Sequence, residues 1–156
     1  MKIAGIALLL LLLGGAAYYL TACPCGPVPG ARLFGDELEE PVTDWTFVND
    51  REAVPLCQLQ ITPWRPHSIN LNCMSANESL YISCSNCDGK RWSRDAISHP
   101  DAMIRAGFSL YPVTLQRVTD AGTLDEVWEA RRNKVGAEAR PRPDHWWSFH
   151  LVSRSS

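Results

Sequence analysis

The sequence predicts a small α+β domain of antiparallel strands with two short helices, preceded by an N-terminal segment of different composition. Apolar and polar residues alternate in several runs after Pro41, which is typical of half-buried strands. Two later stretches carry helix-start signals, and the first two dozen residues are mostly apolar. We therefore divide the 156 residues into a signal or anchor segment (1–22), a tether (23–40) and one domain (41–156).

The N-terminus has the order of a secretory signal. One positive charge, Lys2, precedes an almost unbroken run of Ile, Ala and Leu from Ile3 to Leu13. An uncleaved membrane helix is the alternative, because the 18 residues from Ile3 to Leu20 just reach the length that spans a bilayer. In both interpretations Lys2 favours an inside N-terminus and a domain on the extracytoplasmic side.

The end of this segment, Leu20-Thr21-Ala22-Cys23, resembles the lipobox of bacterial lipoproteins. In that family the chain is cut before the cysteine, and the cysteine thiol is diacylated. The resemblance implies that acyl chains on Cys23 anchor the domain to membrane lipid, at the periplasmic or cell-surface side. The Pro/Gly-rich stretch 24–30 then predicts a stiff tether.

The strand pattern is clearest in two runs that mirror each other about Arg65. Folding them into a hairpin predicts three facing apolar pairs, Cys57–Cys73, Leu59–Leu71 and Ile61–Ile69. The other face of this hairpin is polar and holds Gln58, Gln60, Asn70 and Asn72. A turn over 75–78 leads to a third strand whose apolar set is Leu80, Ile82 and Cys84.

The remaining elements follow from local signals. Ser93 is the predicted cap of a short helix that ends before the His99-Pro100 step. Residues 102–118 predict a second hairpin with the core face Tyr111, Val113 and Leu115. Thr123 and Glu126 form a capping box for a helix that runs to Val135 and stops at Gly136. A last strand spans Trp146 to Val152.

Four cysteines lie in the predicted domain, at Cys57, Cys73, Cys84 and Cys87. In an oxidising compartment disulfides are the default, which favours the pairs Cys57–Cys73 and Cys84–Cys87. A structural zinc site with all four thiolates as ligands is the alternative, although strong zinc signals contain two C-x-x-C pairs and this chain has one. A redox-active Cys84–Cys87 pair and free core thiols also remain open.

Several strings resemble the pyridoxamine-phosphate-oxidase and deazaflavin-reductase superfamily. Leu80-Tyr81-Ile82-Ser83, then Trp92, then Pro100-Asp101-Ala102 resemble its strand, Trp, short helix, Pro and strand element. Tyr111-Pro112-Val113, followed by Arg117-Val118-Thr119-Asp120 and a helix, resembles the next element. The resemblance covers roughly 45–151 and implies an antiparallel split β-barrel. It also implies a flavin-type cofactor, FMN or a deazaflavin, in a groove at a homodimer interface.

In this superfamily, basic and hydroxyl side chains from the barrel strands and the adjoining loop grip the cofactor phosphate. Arg makes bidentate contacts to phosphate, Lys contributes a point charge, and a Trp face stacks on a flat ring. The candidate cofactor-binding residues are Arg65, His67, Lys90, Arg91, Trp92 and Ser93. The alternative is two solvated loops, each with a packed Trp.

Composition and motifs exclude some classes of function. A net charge of −2 argues against a nucleic-acid surface. We find no convincing Ser–His–Asp or paired-carboxylate arrangement, so hydrolase chemistry is disfavoured and catalytic residues stay unassigned. The sequence favours a membrane-tethered, flavin-binding, oxidoreductase-like protein. A non-catalytic lipoprotein that binds a small ligand or an envelope partner is the alternative, since Asp95-Ala96 replaces the Asn-Leu of many deazaflavin-dependent members.

Overall fold

The computed structural model describes residues 2–21, 24, 28–61 and 66–155. Helix α1 spans Lys2–Thr21. Within these ranges, no helix combines the length and apolarity that crossing a membrane requires. The predicted acylation site Cys23 lies outside the described residues, as does Cys25.

In the described part of the chain, six antiparallel strands form a closed barrel. They are β1 (Cys57–Ile61), β2 (His67–Ala76), β3 (Ser79–Ser85), β4 (Asp101–Ala106), β5 (Ser109–Arg117) and β6 (Trp146–Ser153). Their order around the barrel is β1-β2-β3-β6-β5-β4, and β1 pairs with β4 to close it. Helix α2 (Arg91–Ser98) connects β3 to β4, and helix α3 (Ala121–Val135) connects β5 to β6. The predicted α+β class with antiparallel strands is confirmed.

The β1–β2 hairpin forms, but the predicted register is wrong by two residues. Leu59 lies opposite Ile69 instead of Leu71, and Cys57 lies opposite Leu71 instead of Cys73. A shift of two residues keeps every side chain on its predicted face, because the side-chain period of a strand is two. The apolar pattern therefore determines which face each side chain lies on, but it does not distinguish between registers that differ by two residues.

The turn between β2 and β3 is shorter than predicted. Ser75 and Ala76 belong to β2, so only Asn77 and Glu78 connect the strands. Both residues have positive φ values, 49° and 64°. Two successive positive φ values are typical of a type I′ turn, whose twist matches that of antiparallel strands.

Both helices begin at caps other than the predicted ones. Lys90 is the N-cap of α2, and Ser93 lies inside the first turn, where its hydroxyl donates to the Lys90 carbonyl at 2.9 Å. Asp120 is the N-cap of α3, and its carboxylate accepts a hydrogen bond from the backbone N–H of Thr123 at 2.7 Å. Thr123, the predicted cap, lies three residues further on. The predicted stop at Gly136 is confirmed, with a left-handed φ of 65°.

The core fills the barrel interior. The predicted core face of β5, Tyr111, Val113 and Leu115, is buried there, together with Leu59 and Phe149. A second cluster joins α3 to the outside of the barrel through Met74, Val127, Trp128 and Trp146. Four of the six tryptophans, Trp45, Trp92, Trp128 and Trp146, are buried, as expected for a residue that is costly to expose.

The cysteines form the two predicted disulfide pairs. Cys57 and Cys73 have α-carbons 5.7 Å apart and join β1 to β2, and Cys84 and Cys87 have the same α-carbon separation at the end of β3. These bridges use the four sulfurs that a Cys₄ zinc site needs. Among the described residues, no group of His, Cys, Asp or Glu is arranged to hold a metal.

Part of the predicted tether lies against the barrel. Residues 28–38, which we call the strap, follow its outer surface. Gly30 exchanges backbone hydrogen bonds with Ser68 at 2.8 and 3.0 Å, and the Leu33 N–H donates to the Gln60 side chain at 2.6 Å. Further on, the Leu38 N–H donates to the Leu110 carbonyl at 2.9 Å. The strap thereby covers part of the predicted polar face.

Candidate functional site

A cavity of about 410 Å³ lies between β2 and the N-terminus of α2. Four of the six predicted cofactor-binding residues line it: His67, Lys90, Arg91 and Trp92. Its volume lies within the range of about 300–1,000 Å³ that is usual for small-molecule sites. The structure thus brings residues from two separate loops of the sequence to one place.

The short segment between β3 and α2 positions the basic residues. The Cys84–Cys87 bridge closes the end of β3, and Gly89 turns the chain with a φ of 77° that favours glycine. The buried Ser93 hydroxyl donates back to the Cys87 and Lys90 carbonyls. These contacts fix the first turn of α2, so Lys90 and Arg91 lie at the rim of the cavity.

The cations of the site have weak partners. The Arg91 Nε lies 3.4 Å from the Asp95 carboxylate, one turn along the exposed face of α2. The Lys90 ammonium donates to the Ser85 carbonyl at 3.0 Å. Exposed contacts of this kind contribute little to stability, so both cations can exchange them for an anion.

His67 is the first residue of β2 and is half-buried at the cavity wall. Burial lowers its pKa, the positive charge of Arg91 lowers it further, and the Asp95 carboxylate acts in the opposite direction. The imidazole is therefore mainly neutral at pH 7, with one nitrogen as a donor and one as an acceptor.

The other candidates take different positions. Trp92 is only 5% exposed, and its ring centroid lies 5.5 Å from that of Phe149, so it packs in the core and offers the cavity part of a wall. Ser93 is buried in the first turn of α2 and does not line the cavity. Arg65 lies outside the described residues.

No family model and no curated protein matches the chain. Among solved structures, a candidate pyridoxamine 5′-phosphate oxidase from Listeria innocua is similar at 11% identity and a TM-score of 0.56, covering 70% of this chain and 91% of that one. A nimC/nimA family protein from Clostridium acetobutylicum is similar at 11% identity and a TM-score of 0.52, covering 68% and 78%. An F420 reductase is similar at 10% identity and a TM-score of 0.50, covering 71% and 94%.

The fold is a split β-barrel. At these identities the likeness establishes the fold alone, because one fold supports many functions. The function of this split barrel has to be argued from its own side chains.

Five lining residues of the split-barrel cavity were not among the predicted cofactor-binding residues, and two of them, Ile69 and Leu71, were predicted only as apolar residues of β2. Val28 and Pro29 of the strap border the cavity, and Asn70 lies on the side of β2. Asn70 carried a signal, since it belongs to the predicted polar face. Val28 and Pro29 carried none, because Pro/Gly-rich composition does not indicate where a tether lies.

The cavity of this split barrel combines two cations, a neutral imidazole and an apolar wall. Ile69, Leu71 and Trp92 form the wall. The arrangement is suited to binding an anionic group at one end and an apolar or flat group at the other.

Proposed function

We propose that this protein is a membrane-tethered, extracytoplasmic split barrel that binds a phosphorylated flavin-type cofactor, FMN or a deazaflavin. The observation that carries this proposal is the presence of His67, Lys90 and Arg91 around one cavity. The fold agrees with this proposal, since the similar structures include a candidate pyridoxamine 5′-phosphate oxidase and an F420 reductase.

The phosphate would lie at the N-terminus of α2. Lys90 and Arg91 supply two positive charges there, and the first turn of a helix adds the positive end of its dipole. An arginine can hold two phosphate oxygens at once, which requires Arg91 to release Asp95.

The ring system would lie along the apolar wall. Ile69 and Leu71 line one side of this space, and Trp92 completes the wall. Neutral His67 can donate to a ring carbonyl or accept from a ring N–H. A bound flavin would supply reversible electron transfer, and the residues of this chain would hold it and limit its contact with water.

The membrane tether rests on the apolar leader and on Leu20-Thr21-Ala22-Cys23. Two disulfides support an oxidising compartment outside the cytoplasm. We also propose a homodimer, because the superfamily resemblance implies a groove between two subunits.

A titration of the purified full chain with FMN, and separately with a deazaflavin, tests the cofactor proposal. We expect quenching of cofactor fluorescence at micromolar concentration. Arg91→Ala is expected to weaken binding at least tenfold, because a hydrogen bond to a charged group contributes roughly 1.5–3 kcal/mol. Arg94→Ala is the matched control, since Arg94 is an exposed residue of α2 that does not line the cavity.

The second candidate is a non-catalytic lipoprotein that binds a small ligand or an envelope partner. The strap favours it, because Val28 and Pro29 take up one border of a cavity that is near the small end of the usual range. A colourless protein extracted from membranes, with no cofactor binding in the titration, would support this candidate and reject the first.

A further inference from the structure

We propose that the outer end of the β4–β5 hairpin is a lipid-contacting surface that seats the barrel on the membrane. This surface, the hairpin end, consists of Phe34, Leu56, Gly107 and Phe108. The inference rests on the proposed lipid anchor at Cys23 and adds a second, non-covalent contact with the same bilayer.

Phe108 is the most exposed large apolar residue among those the structure describes. It is 98% exposed at the tip of a two-residue turn, where Gly107 takes the positive φ of 65° that such a turn needs. Polar residues such as Asn, Asp and Ser are usual at such tips, so the geometry of the turn does not call for an aromatic ring.

Two further exposed apolar side chains lie beside this tip. A β-carbon placed on Gly35 would be 3.6 Å from the Phe108 carbonyl oxygen, so Phe34 adjoins the turn and is itself 53% exposed. Leu56, 44% exposed, lines a shallow cavity together with Gly107. Single exposed apolar residues are ordinary, but three of them around one hairpin end indicate a partner.

A row of hydrogen bonds connects this surface to the point where the anchor segment reaches the barrel. Pro24 directly follows Cys23, and its carbonyl accepts from the Asn70 side chain at 3.3 Å. From Asn70 the row crosses three adjacent strands: Gln58 donates to Asn70 at 3.2 Å, and Arg105 donates to Gln58 at 2.9 Å. The Arg105 guanidinium also donates to the Phe34 carbonyl.

This row of hydrogen bonds limits the distance between the proposed anchor at Cys23 and Phe108. Adjacent strands lie about 4.8 Å apart, so Asn70 on β2 and Arg105 on β4 are about 10 Å apart across β1. One residue adds less than about 4 Å between Pro24 and Cys23. Acyl chains on Cys23 and the ring of Phe108 would therefore reach the same bilayer face.

The charges around the hairpin end favour zwitterionic lipid. The Arg32 guanidinium lies 5.8 Å from the centroid of the Phe34 ring. Four acidic residues follow, two in the strap and two directly after it: Asp36, Glu37, Glu39 and Glu40. Acidic residues oppose a strongly anionic surface. Contact would come from apolar insertion to the depth of about 5–10 Å that interfacial groups reach, and salt would have little effect on it.

A photo-crosslinking experiment on the full acylated chain in phosphatidylcholine vesicles tests this inference. One variant carries p-benzoylphenylalanine in place of Phe108, and the control carries it in place of Ile97. Ile97 is also apolar and 53% exposed, but it lies at the end of α2, near the opposite end of β4. We expect lipid adducts at position 108 with at least fivefold higher yield than at position 97, in low and in high salt.

The outcomes separate this proposal from the anchor on which it rests. Equal, low adduct yields in protein that still floats with the vesicles would overturn lipid contact and leave the anchor intact. A crosslink from position 108 to a second copy of the chain would show a protein interface and would also overturn it. Protein that does not float with the vesicles would reject the anchor itself, and lipid seating with it.

Discussion

The side-chain ammonium of Lys134 lies 2.8 Å from the backbone carbonyl oxygen of Cys73 and donates a hydrogen bond to it. This contact attaches the last turn of α3 to β2, beside the Cys57–Cys73 bridge. Lys134 is only 9% exposed. Burial lowers its pKa to about 8, and the charge of Asp50 opposes this only in part.

The buried Lys134 predicts a rise of stability with pH. Between pH 8 and 10.5 the unfolded chain keeps the proton on this amine while the folded chain loses it, so raising the pH favours the folded state. The free energy of unfolding should increase by at most about 3 kcal/mol over the whole window. Below pH 8 the cost of the buried charge is fully present.

Urea unfolding at pH 7.5, 8.5 and 9.5 measures this effect, and Lys134→Met is the control because it removes the titrating amine. As the pH rises, the free energy of unfolding of the wild type should increase relative to that of Lys134→Met. Parallel pH profiles would show that the amine of Lys134 is hydrated in the folded state. Staying below pH 10 keeps the ionisation of Tyr81, whose pKa is raised by burial, out of the measurement.

The two disulfides should differ in what they stabilise. Cys57 and Cys73 are 16 residues apart, which predicts a loss of about 3 kcal/mol in the free energy of unfolding for the double Ala variant. Cys84 and Cys87 are three residues apart, which predicts about half of that loss.

The shorter bridge has the larger expected effect on the site. It positions Lys90 and Arg91, so the Cys84→Ala, Cys87→Ala double variant should weaken FMN binding more than the other double variant does. Calorimetric unfolding and the FMN titration, performed on both proteins, check the two effects separately. Equal binding by both variants would contradict the positioning role of the short bridge.

The charges of α2 should control the pKa of His67. Arg91→Gln removes a positive neighbour and should raise this pKa, whereas Asp95→Asn removes a negative neighbour and should lower it. An NMR titration of the imidazole C–H signals measures both shifts. His150 serves as an internal control, because its pKa is lowered by burial alone and its ring stacks on Tyr81 on the other side of β3. A lower His67 pKa in Arg91→Gln or a higher one in Asp95→Asn would contradict this arrangement. So would a change of the His150 pKa as large as that of the His67 pKa.

The cap of α3 can be tested by two substitutions. Asp120→Ala removes the acceptor of the Thr123 N–H and should cost about 1 kcal/mol of stability. Thr123→Ala leaves that acceptor and loses only the hydroxyl contact to the same carboxylate, so its cost should be smaller. Thermal unfolding of both variants decides which residue begins the helix. A larger effect at Thr123 would restore the capping box predicted from the sequence.

The faces of the strands were predictable, and their register was not. Alternation from Cys57 to Ile61 determines which side chains enter the barrel, since the wrong face would expose every apolar residue. The pairing of Leu59 with Ile69 instead of Leu71 leaves that alternation intact, so no apolar pattern distinguishes the two. The Cys57–Cys73 pair was predictable for the same reason, because both cysteines stay on one face and within bridging distance after the shift.

The basic residues of the site could be predicted from the sequence. The strap residues that line the cavity could not. Lys90 and Arg91 stand out because two cations directly precede Trp92 in the sequence, and such side chains suit a phosphate next to a flat ring. Ser93 has the same sequence context, yet its hydroxyl serves the turn before α2. The position of Val28 and Pro29 depends on long-range contacts of the strap, and such contacts leave no local signal in the sequence.

The contacts between the barrel and the chain after Cys23 also limit the distance between the domain and a lipid anchor. A slack chain over the 18 residues of the stretch 23–40 would span up to about 60 Å. Pro24 already accepts a hydrogen bond from Asn70 of β2, so Cys23 lies one residue, less than about 4 Å along the chain, from a contact with the barrel. The strap is bound again further on, at Gly30 and Leu33. In a lipidated chain the barrel therefore stays at the membrane surface, and a soluble reaction partner has to diffuse to the bilayer to meet it.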